Sequence, residues 1–202
     1  MKDAKAVNDD DINDVQLCRK GDLAAFERLV LRHQKRILNI AFRMIGSYED
    51  GLEVTQDSFV SAYRNINGFD GRSKFSTWIC AIVMNAARNR IEQNRSRNRH
   101  EGASYDDPIE GNDGPIARDC ASPESSALEK LEQKERRALV RRCIKQLEDD
   151  YRAVVVLRDI QGFSYGEIGS VLKLAEGTVK SRLSRARDSL RSCLRKLFGG
   201  KR

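Results

Sequence analysis

The chain has 202 residues, enough for one domain or two small ones, and 37 Lys and Arg against 30 Asp and Glu leave a formal charge of +7. Its longest apolar runs, such as 78–84, fall far short of the ~20 residues of a spanning helix, and Asp9-Asp10-Asp11 stands where a leader would be basic and then apolar; this argues against a membrane span and predicts a cytoplasmic chain. The five cysteines (Cys18, Cys80, Cys120, Cys143, Cys193) include no C-x-x-C pair and make an odd total, which speaks against structural zinc and against a disulfide framework.

Over residues 22–46, Phe26, Leu29, Val30, Ile37, Ile40, Ala41 and Met44 recur at three- and four-residue steps, predicting a long helix opened by Asp22 and closed by Gly46. His33 falls on its buried face and reads as a packing or hydrogen-bonding residue. A second helix over about 49–66 carries Leu52, Phe59, Ala62, Tyr63 and Ile66 as its stripe. Gly68-Phe69-Asp70-Gly71 interrupts the pattern, and a third helix is expected from a Ser76 cap into an arginine cluster. On its wheel Cys80, Val83, Met84, Ala87 and Ile91 form one stripe; Ala81, Asn85, Arg88, Asn89 and Glu92 form another, with Trp78 beside it. Asparagine amides can bond base edges, and an exposed indole can stack where a base pair has opened. Trp78 fits a core position as well, and Asn85 a bond to a neighbouring helix.

Residues 98–125 hold Pro108, Pro115 and Pro123 with several glycines and many acids and show no apolar period, which marks a flexible acidic linker. Extended, its 28 residues reach roughly 90–100 Å. His100 lies at its margin with no chemical role, and Cys120 inside it is either a redox reporter or an ordinary exposed thiol. Helical periodicity resumes through Leu128, Leu131, Leu139, Cys143 and Leu147, then over 154–160. Ser164 and Glu167 have capping-box spacing at the start of a short helix, where Gly169 permits close approach by another helix. A turn at 174–177 precedes a second helix starting at Thr178, the pattern of a helix-turn-helix. There Val179, Leu183, Ala186, Leu190, Cys193, Leu194 and Leu197 share one line, and Ser181, Ser184, Arg185 and Asp188 face outward, flanked by Lys180, Arg182 and Arg187. Hydroxyls and guanidinium groups so placed can reach base edges in a major groove while the cations neutralise phosphates. The expected fold is all-α: a helical domain over 1–97, the linker over 98–125, and a helix-turn-helix domain over 126–202.

Charge alternates in the same way. Residues 88–99 carry five arginines against Glu92, residues 101–132 carry nine acids against Arg118 and Lys130, and the last thirty residues carry ten bases against Glu176 and Asp188. Two basic segments around an acidic one suit two contacts with a polyanion, although solvated charge also produces such runs.

These segments together resemble the extracytoplasmic-function (ECF) sigma factors of bacterial RNA polymerase. The resemblance rests on Lys20-Gly21-Asp22 with Phe26, on 53–64 (EVTQDSFVSAYR), on 75–78 (FSTW) followed by 85–89 (NAARN), on 151–159 (YRAVVVLRD), on 162–168 (GFSYGEI) and on 177–187 (GTVKSRLSRAR). It implies that Glu53, Gln56 and Asp57 dock on the clamp helices of the polymerase beta-prime subunit, with the beta flap as a further partner. It also implies that the loop 68–75, with Phe69 and Arg72, joins Trp78 and Asn85 in holding a flipped base of the minus-ten promoter element, with Arg88 and Asn89 on DNA nearby. Thr178, Lys180, Ser181, Arg182, Ser184 and Arg185 would read the minus-thirty-five element, Arg182 and Arg187 serving phosphates or intramolecular partners. An anti-sigma factor is an expected partner on the same ground. The family often has proline where Glu148 and Ala175 stand and glycine where Lys173 stands, which predicts looser or differently angled turns.

The sequence carries no G-x-x-x-x-G-K-[ST], no H-E-x-x-H and no catalytic or metal-ligand constellation, so neither enzymatic activity nor a cofactor is expected. Two other readings are a stand-alone helix-turn-helix regulator, which accounts for the C-terminal half alone, and a small nucleic-acid-processing enzyme, which lacks a nucleophile or metal-carboxylate set.

Overall fold

The computed structural model describes residues 9–101 and 127–198, and among these there is no strand. Most of the predicted linker, with Cys120, and the side chains of His100 and Leu128 lie outside the described residues. The first lobe comprises α1 (Asp9–Arg19), α2 (Leu23–Ile45), α3 (Tyr48–Arg64), a 3-10 turn (Ile66–Gly68) and α4 (Phe75–Glu101). The second comprises α5 (Ala127–Lys145), α6 (Asp149–Val155) running on as a π-helical segment (Val156–Ile160), α7 (Tyr165–Leu172) and α8 (Glu176–Phe198).

The α2 boundaries follow their chemistry. Asp22 accepts a hydrogen bond from the Ala25 amide at 3.2 Å, and Gly46 takes φ 87° while its N–H closes on the Phe42 carbonyl. Leu29, Ile37, Ile40, Ala41 and Met44 form the buried stripe. In α3 the expected stripe is rotated: Val54, Phe59 and Ala62 are buried, whereas Leu52 and Tyr63 are exposed. Gly51 explains the rotation, because a Cβ there would stand 3.1 Å from the Phe42 backbone, so the two helices cross at Gly51 and its neighbour Leu52 turns outward.

Ser76 does not cap α4. The Lys74 carbonyl accepts from the Trp78 amide, the helix starts at the buried Phe75, and Ser76 lies inside the first turn. α4 also continues through Glu101, so residues 98–101, expected in the linker, are helical. Periodicity missed α1 altogether. Its buried inward positions combine Val15 and Cys18 with Asp11 and Asp14, and the two carboxylates meet α2: Asp14 takes Arg28 at 2.5 Å and Arg32, while Asp11 takes Arg32 at 3.0 Å and His33 Nε2 at 2.9 Å.

In the second lobe Leu131 is exposed, and α5 is buried only at Cys143 and Ile144, with Leu147 just beyond. The capping box forms: Ser164 Oγ accepts from the Glu167 amide, and Glu167 Oε2 accepts from the Ser164 amide at 2.8 Å. A Cβ on Gly169 would lie 2.7 Å from the Leu174 carbonyl oxygen, so this glycine admits the backbone of the turn, not another helix. α8 begins at Glu176, two residues before Thr178, and Val179, Leu183 and Ala186 are buried, while Leu190, Cys193, Leu194 and Leu197 are half-buried. The turns at Glu148 and Lys173 keep the shape that proline and glycine would give them. Glu148 has φ −55°, the value a proline ring fixes, and Lys173 takes the left-handed conformation (φ 56°, ψ 48°) that favours glycine.

The expectation against disulfides is corrected. Cys143 and Cys193 are bonded, their Cα atoms 5.8 Å apart, while Cys18 and Cys80 are free and buried. The odd total and the separation of 50 residues concealed a pair that meets only when α5 packs on α8.

The two lobes touch. Buried Arg152 of α6 donates to the carbonyls of Ile144, Lys145 and Leu147 in its own lobe and to Met44 of α2 at 2.6 Å. Arg36 reaches the Gln161 carbonyl at 2.8 Å with its guanidinium 4.3 Å from the Phe163 ring centre, and Lys74 pairs with Glu167 at 3.2 Å.

Candidate nucleic-acid interface

Two surfaces carry the groups that suit DNA. On α8, Lys180, Ser181, Ser184 and Arg185 are exposed and Thr178 is half-buried, placed by the buried line through Val179, Leu183 and Ala186. Ser181 Oγ donates to the Thr178 carbonyl at 3.0 Å, and the Lys180 ammonium stands 5.6 Å from the Tyr165 ring centre, so α7 supports the start of the reading helix. Arg182 and Arg187 have intramolecular partners. Arg182 pairs with Asp150 at 2.8 Å, and Arg187 makes a two-pronged pair with Asp159 at 2.6 and 3.1 Å, whose hydrogen bonds push its pKa above the usual arginine value.

The other surface is α4 with the loop before it. Asn85 and Asn89 are exposed one turn apart, and Arg88 is half-buried with Nη2 3.2 Å from Asp150 Oδ1. Trp78 packs with Phe69 and Phe75 at ring-centre distances of 5.5 and 5.7 Å and is partly buried in this aromatic cluster. Phe69 is itself buried, so it shapes the loop from inside, and its carbonyl accepts from Arg19. Arg72 is exposed and pairs with Asp70 at 2.7 Å. The Arg72 amide, hydrogen-bonded to the Asp70 side chain, holds that carboxyl below its ordinary pKa.

Glu53, Gln56 and Asp57 lie together on the exposed face of α3, next to the exposed Val60. Arg90 donates to Glu53 at 2.9 Å and to Asp50 at 2.7 Å, and its hydrogen bond holds the Glu53 carboxyl below the ordinary range. His33 is a partner of Asp11 and packs on Phe75 at 5.4 Å, a structural position.

The sequence reading passed over Asp149 and Asp150 at the start of α6. Asp149 pairs with Arg95 of α4 at 2.8 Å, and Asp150 takes Arg88 of α4 and Arg182 of α8 on its two oxygens. One carboxylate thereby joins an arginine from each DNA-suited surface. Consecutive acids at a helix start suggest a dipole effect in sequence, and their distant partners leave no periodic signal.

Family models describe both lobes: Sigma-70 region 2 matches residues 29–97 and Sigma-70 region 4 matches residues 137–190. The chain is 33% identical over 184 residues to the RNA polymerase sigma-H factor of Pseudomonas aeruginosa, covering 91% of this chain and 93% of the relative. It is 34% identical to the ECF RNA polymerase sigma-E factor of Escherichia coli strain K12, covering 87% and 90%. Among solved structures it resembles CnrH in complex with the cytosolic domain of CnrY, with TM-score 0.64, 26% identity and coverage of 92% and 97%. The sigma factor RpoE of Bartonella quintana in complex with the anti-sigma factor NepR shares the fold, with TM-score 0.62, 23% identity and coverage of 84% and 96%. This chain belongs to the ECF sigma factors of the sigma-70 family. It is thus a promoter-specificity subunit of RNA polymerase and not an enzyme, and the reading as a stand-alone regulator is not favoured. Among the described residues no helix is long and apolar enough to cross a membrane.

Proposed function

We propose that the first lobe, over 1–97, docks on core polymerase through Glu53, Gln56 and Asp57 and captures an unstacked minus-ten base through Asn85, with Trp78 and the loop containing Phe69 and Arg72 around it and with Arg88 and Asn89 on the adjoining backbone. The second lobe, over 126–202, reads the minus-thirty-five duplex through Thr178, Lys180, Ser181, Arg182, Ser184 and Arg185, and residues 98–125 tether the two. Extruding a base costs a few kcal/mol, which amide and loop backbone groups offset by bonding its edge, so no nucleotide hydrolysis by this chain is needed. The observation that carries this reading is the pair of exposed asparagines on α4 together with the exposed serine and basic face of the helix-turn-helix, one on each lobe. The chain works in the cytoplasm, where polymerase acts, and an anti-sigma factor is a further partner, as NepR is of the sigma factor RpoE of Bartonella quintana.

Core polymerase supplemented with the full chain on genomic fragments should yield transcripts with defined starts. Asn85→Ala should leave closed-complex formation near the unsubstituted level and reduce permanganate-reactive open complex by about tenfold, as for the loss of a good base contact. Equal losses in both assays refute the role given to Asn85.

A further inference from the structure

The roles given above to the two DNA-suited surfaces leave the Cys143–Cys193 bond without a part, yet the bond sits where α5 is held. Residues 131–142 of α5 are exposed or half-buried wherever their side chains are described, and its burial is confined to Cys143 and Ile144, with Leu147 following. Ile144, Leu147 and the Arg152 hydrogen bonds to the Ile144 and Lys145 carbonyls are among the contacts that hold this helix end besides the bond. α5 also follows the linker in sequence, so the angle at which it meets α8 sets where the tether leaves the reading helix.

We propose that Cys143 and Cys193 form a reversible dithiol–disulfide site which, when oxidised by a hydroperoxide, fixes α5 to α8 and keeps the second lobe competent for two-element promoters. The inference rests on the promoter-reading role above, which puts the chain in a reducing compartment where protein disulfides are transient or sensory. The Cα separation of 5.8 Å lies within the usual disulfide range of about 4.4–6.8 Å, so the pair closes without moving the backbone. Cys143 is 1% exposed and Cys193 half-buried, so a small oxidant meets Cys193 first. The two free cysteines among the described residues compete poorly: burial pushes the Cys18 thiol up and the Cys80 thiol up to about 12.

The chemistry balances with one peroxide per bond. The Cys193 thiolate attacks a peroxide oxygen; an S–O bond forms, the O–O bond breaks and, after protonation, water leaves. The Cys143 sulfur then attacks the Cys193 sulfur, the S–S bond forms, the S–O bond breaks and a second water leaves. Two thiols lose two electrons and hydrogen peroxide becomes two waters. A small dithiol reverses the step by exchange and departs as its own cyclic disulfide.

The test uses the full chain treated with hydrogen peroxide or dithiothreitol. Thiol titration in denaturant should fall from five to three with peroxide and return to five with dithiothreitol, and peptide mapping should find Cys143 joined to Cys193. The reduced second lobe should melt roughly 10 °C or more below the oxidised one, since a bond spanning 50 residues constrains the unfolded chain strongly. With core polymerase, reduction should lower promoter-specific transcripts several-fold while binding of α8 to a short duplex is unchanged. Cys193→Ser should match the reduced chain under either reagent, which also controls for effects of the reagents on the polymerase. Five titratable thiols after peroxide, a bond to another cysteine, or melting and transcription indifferent to dithiothreitol would each overturn the proposal. Absence of specific transcripts in both redox states sinks the promoter-reading role instead, and the thiol count and melting then decide the redox site alone.

Discussion

Lys173 is the only non-glycine residue with positive φ among the described residues, and it closes α7 with its N–H on the Gly169 carbonyl. An L-residue pays about 1–2 kcal/mol for that conformation, and among the described residues the exposed Lys173 side chain has no hydrogen-bond or ion-pair partner that a glycine would lose. Lys173→Gly should therefore stabilise the second lobe by about 0.5–1 kcal/mol after the greater unfolded freedom of glycine is set against it, measurable as a rise in urea midpoint at unchanged slope. A lower midpoint would show that lysine stabilises the turn. The strain was half legible: the family's glycine pointed to position 173, but only φ shows that this chain keeps the shape and bears its cost. Asn85 and the serine-arginine face of α8 were legible because a surface helix must segregate its polar side. Phe69 was not, since a loop aromatic between two glycines carries no period, and its burial depends on Phe75 and Trp78 meeting it from α4.

At the scale of elements, α2 and the helix-turn-helix were legible because their apolar stripes and caps agree. α1 was hidden because its inner face is half charged. Burial raises the pKa of Asp14, but hydrogen bonds from Arg28 and Arg32, with the charges of both, outweigh it and hold this carboxyl below its ordinary value of 3.8. A depressed folded pKa gives stability that is present above the unfolded pKa and lost as pH falls through the folded one. Docking of α1 should thus be constant from neutral pH down to about 5, weaken as pH falls below the unfolded value and be lost as pH passes through the lower folded pKa. Amide exchange in α1, measured against pH, should accelerate there. Asp14→Asn should weaken the docking at neutral pH by about 2 kcal/mol and remove most of that acid dependence. An unchanged acid profile in the variant would show that another group controls α1. α5 misled for the opposite reason: its leucines suggested a stripe, but Leu131 has no second helix to cover it among the described residues.

For the whole molecule, the contact between lobes sets a competition that neither lobe reveals alone. Arg88 and Arg182 belong to the two surfaces assigned to DNA, and both point at Asp150, while Arg95 points at Asp149. DNA phosphates and these carboxylates compete for the same guanidinium groups, so binding by the isolated chain must first break the pairs of Arg88 and Arg95 between the lobes and that of Arg182 within the second lobe. Salt screens both sets. Raising it from about 50 to 200 mM lowers the affinity of six to ten phosphate contacts by roughly 10³ to 10⁵, but it also weakens the partly exposed pairs with Asp149 and Asp150 and so eases opening. In the unsubstituted chain the second effect offsets part of the first. The double variant Asp149→Asn, Asp150→Asn removes that offset: it should bind duplex DNA more tightly at low salt, show a steeper fall of log affinity against log salt, and scatter X-rays as a more extended particle. Equal slopes would mean that the carboxylates do not restrain the arginines in solution, and a compact double variant would assign the closure to Arg152, Arg36 and Lys74 instead.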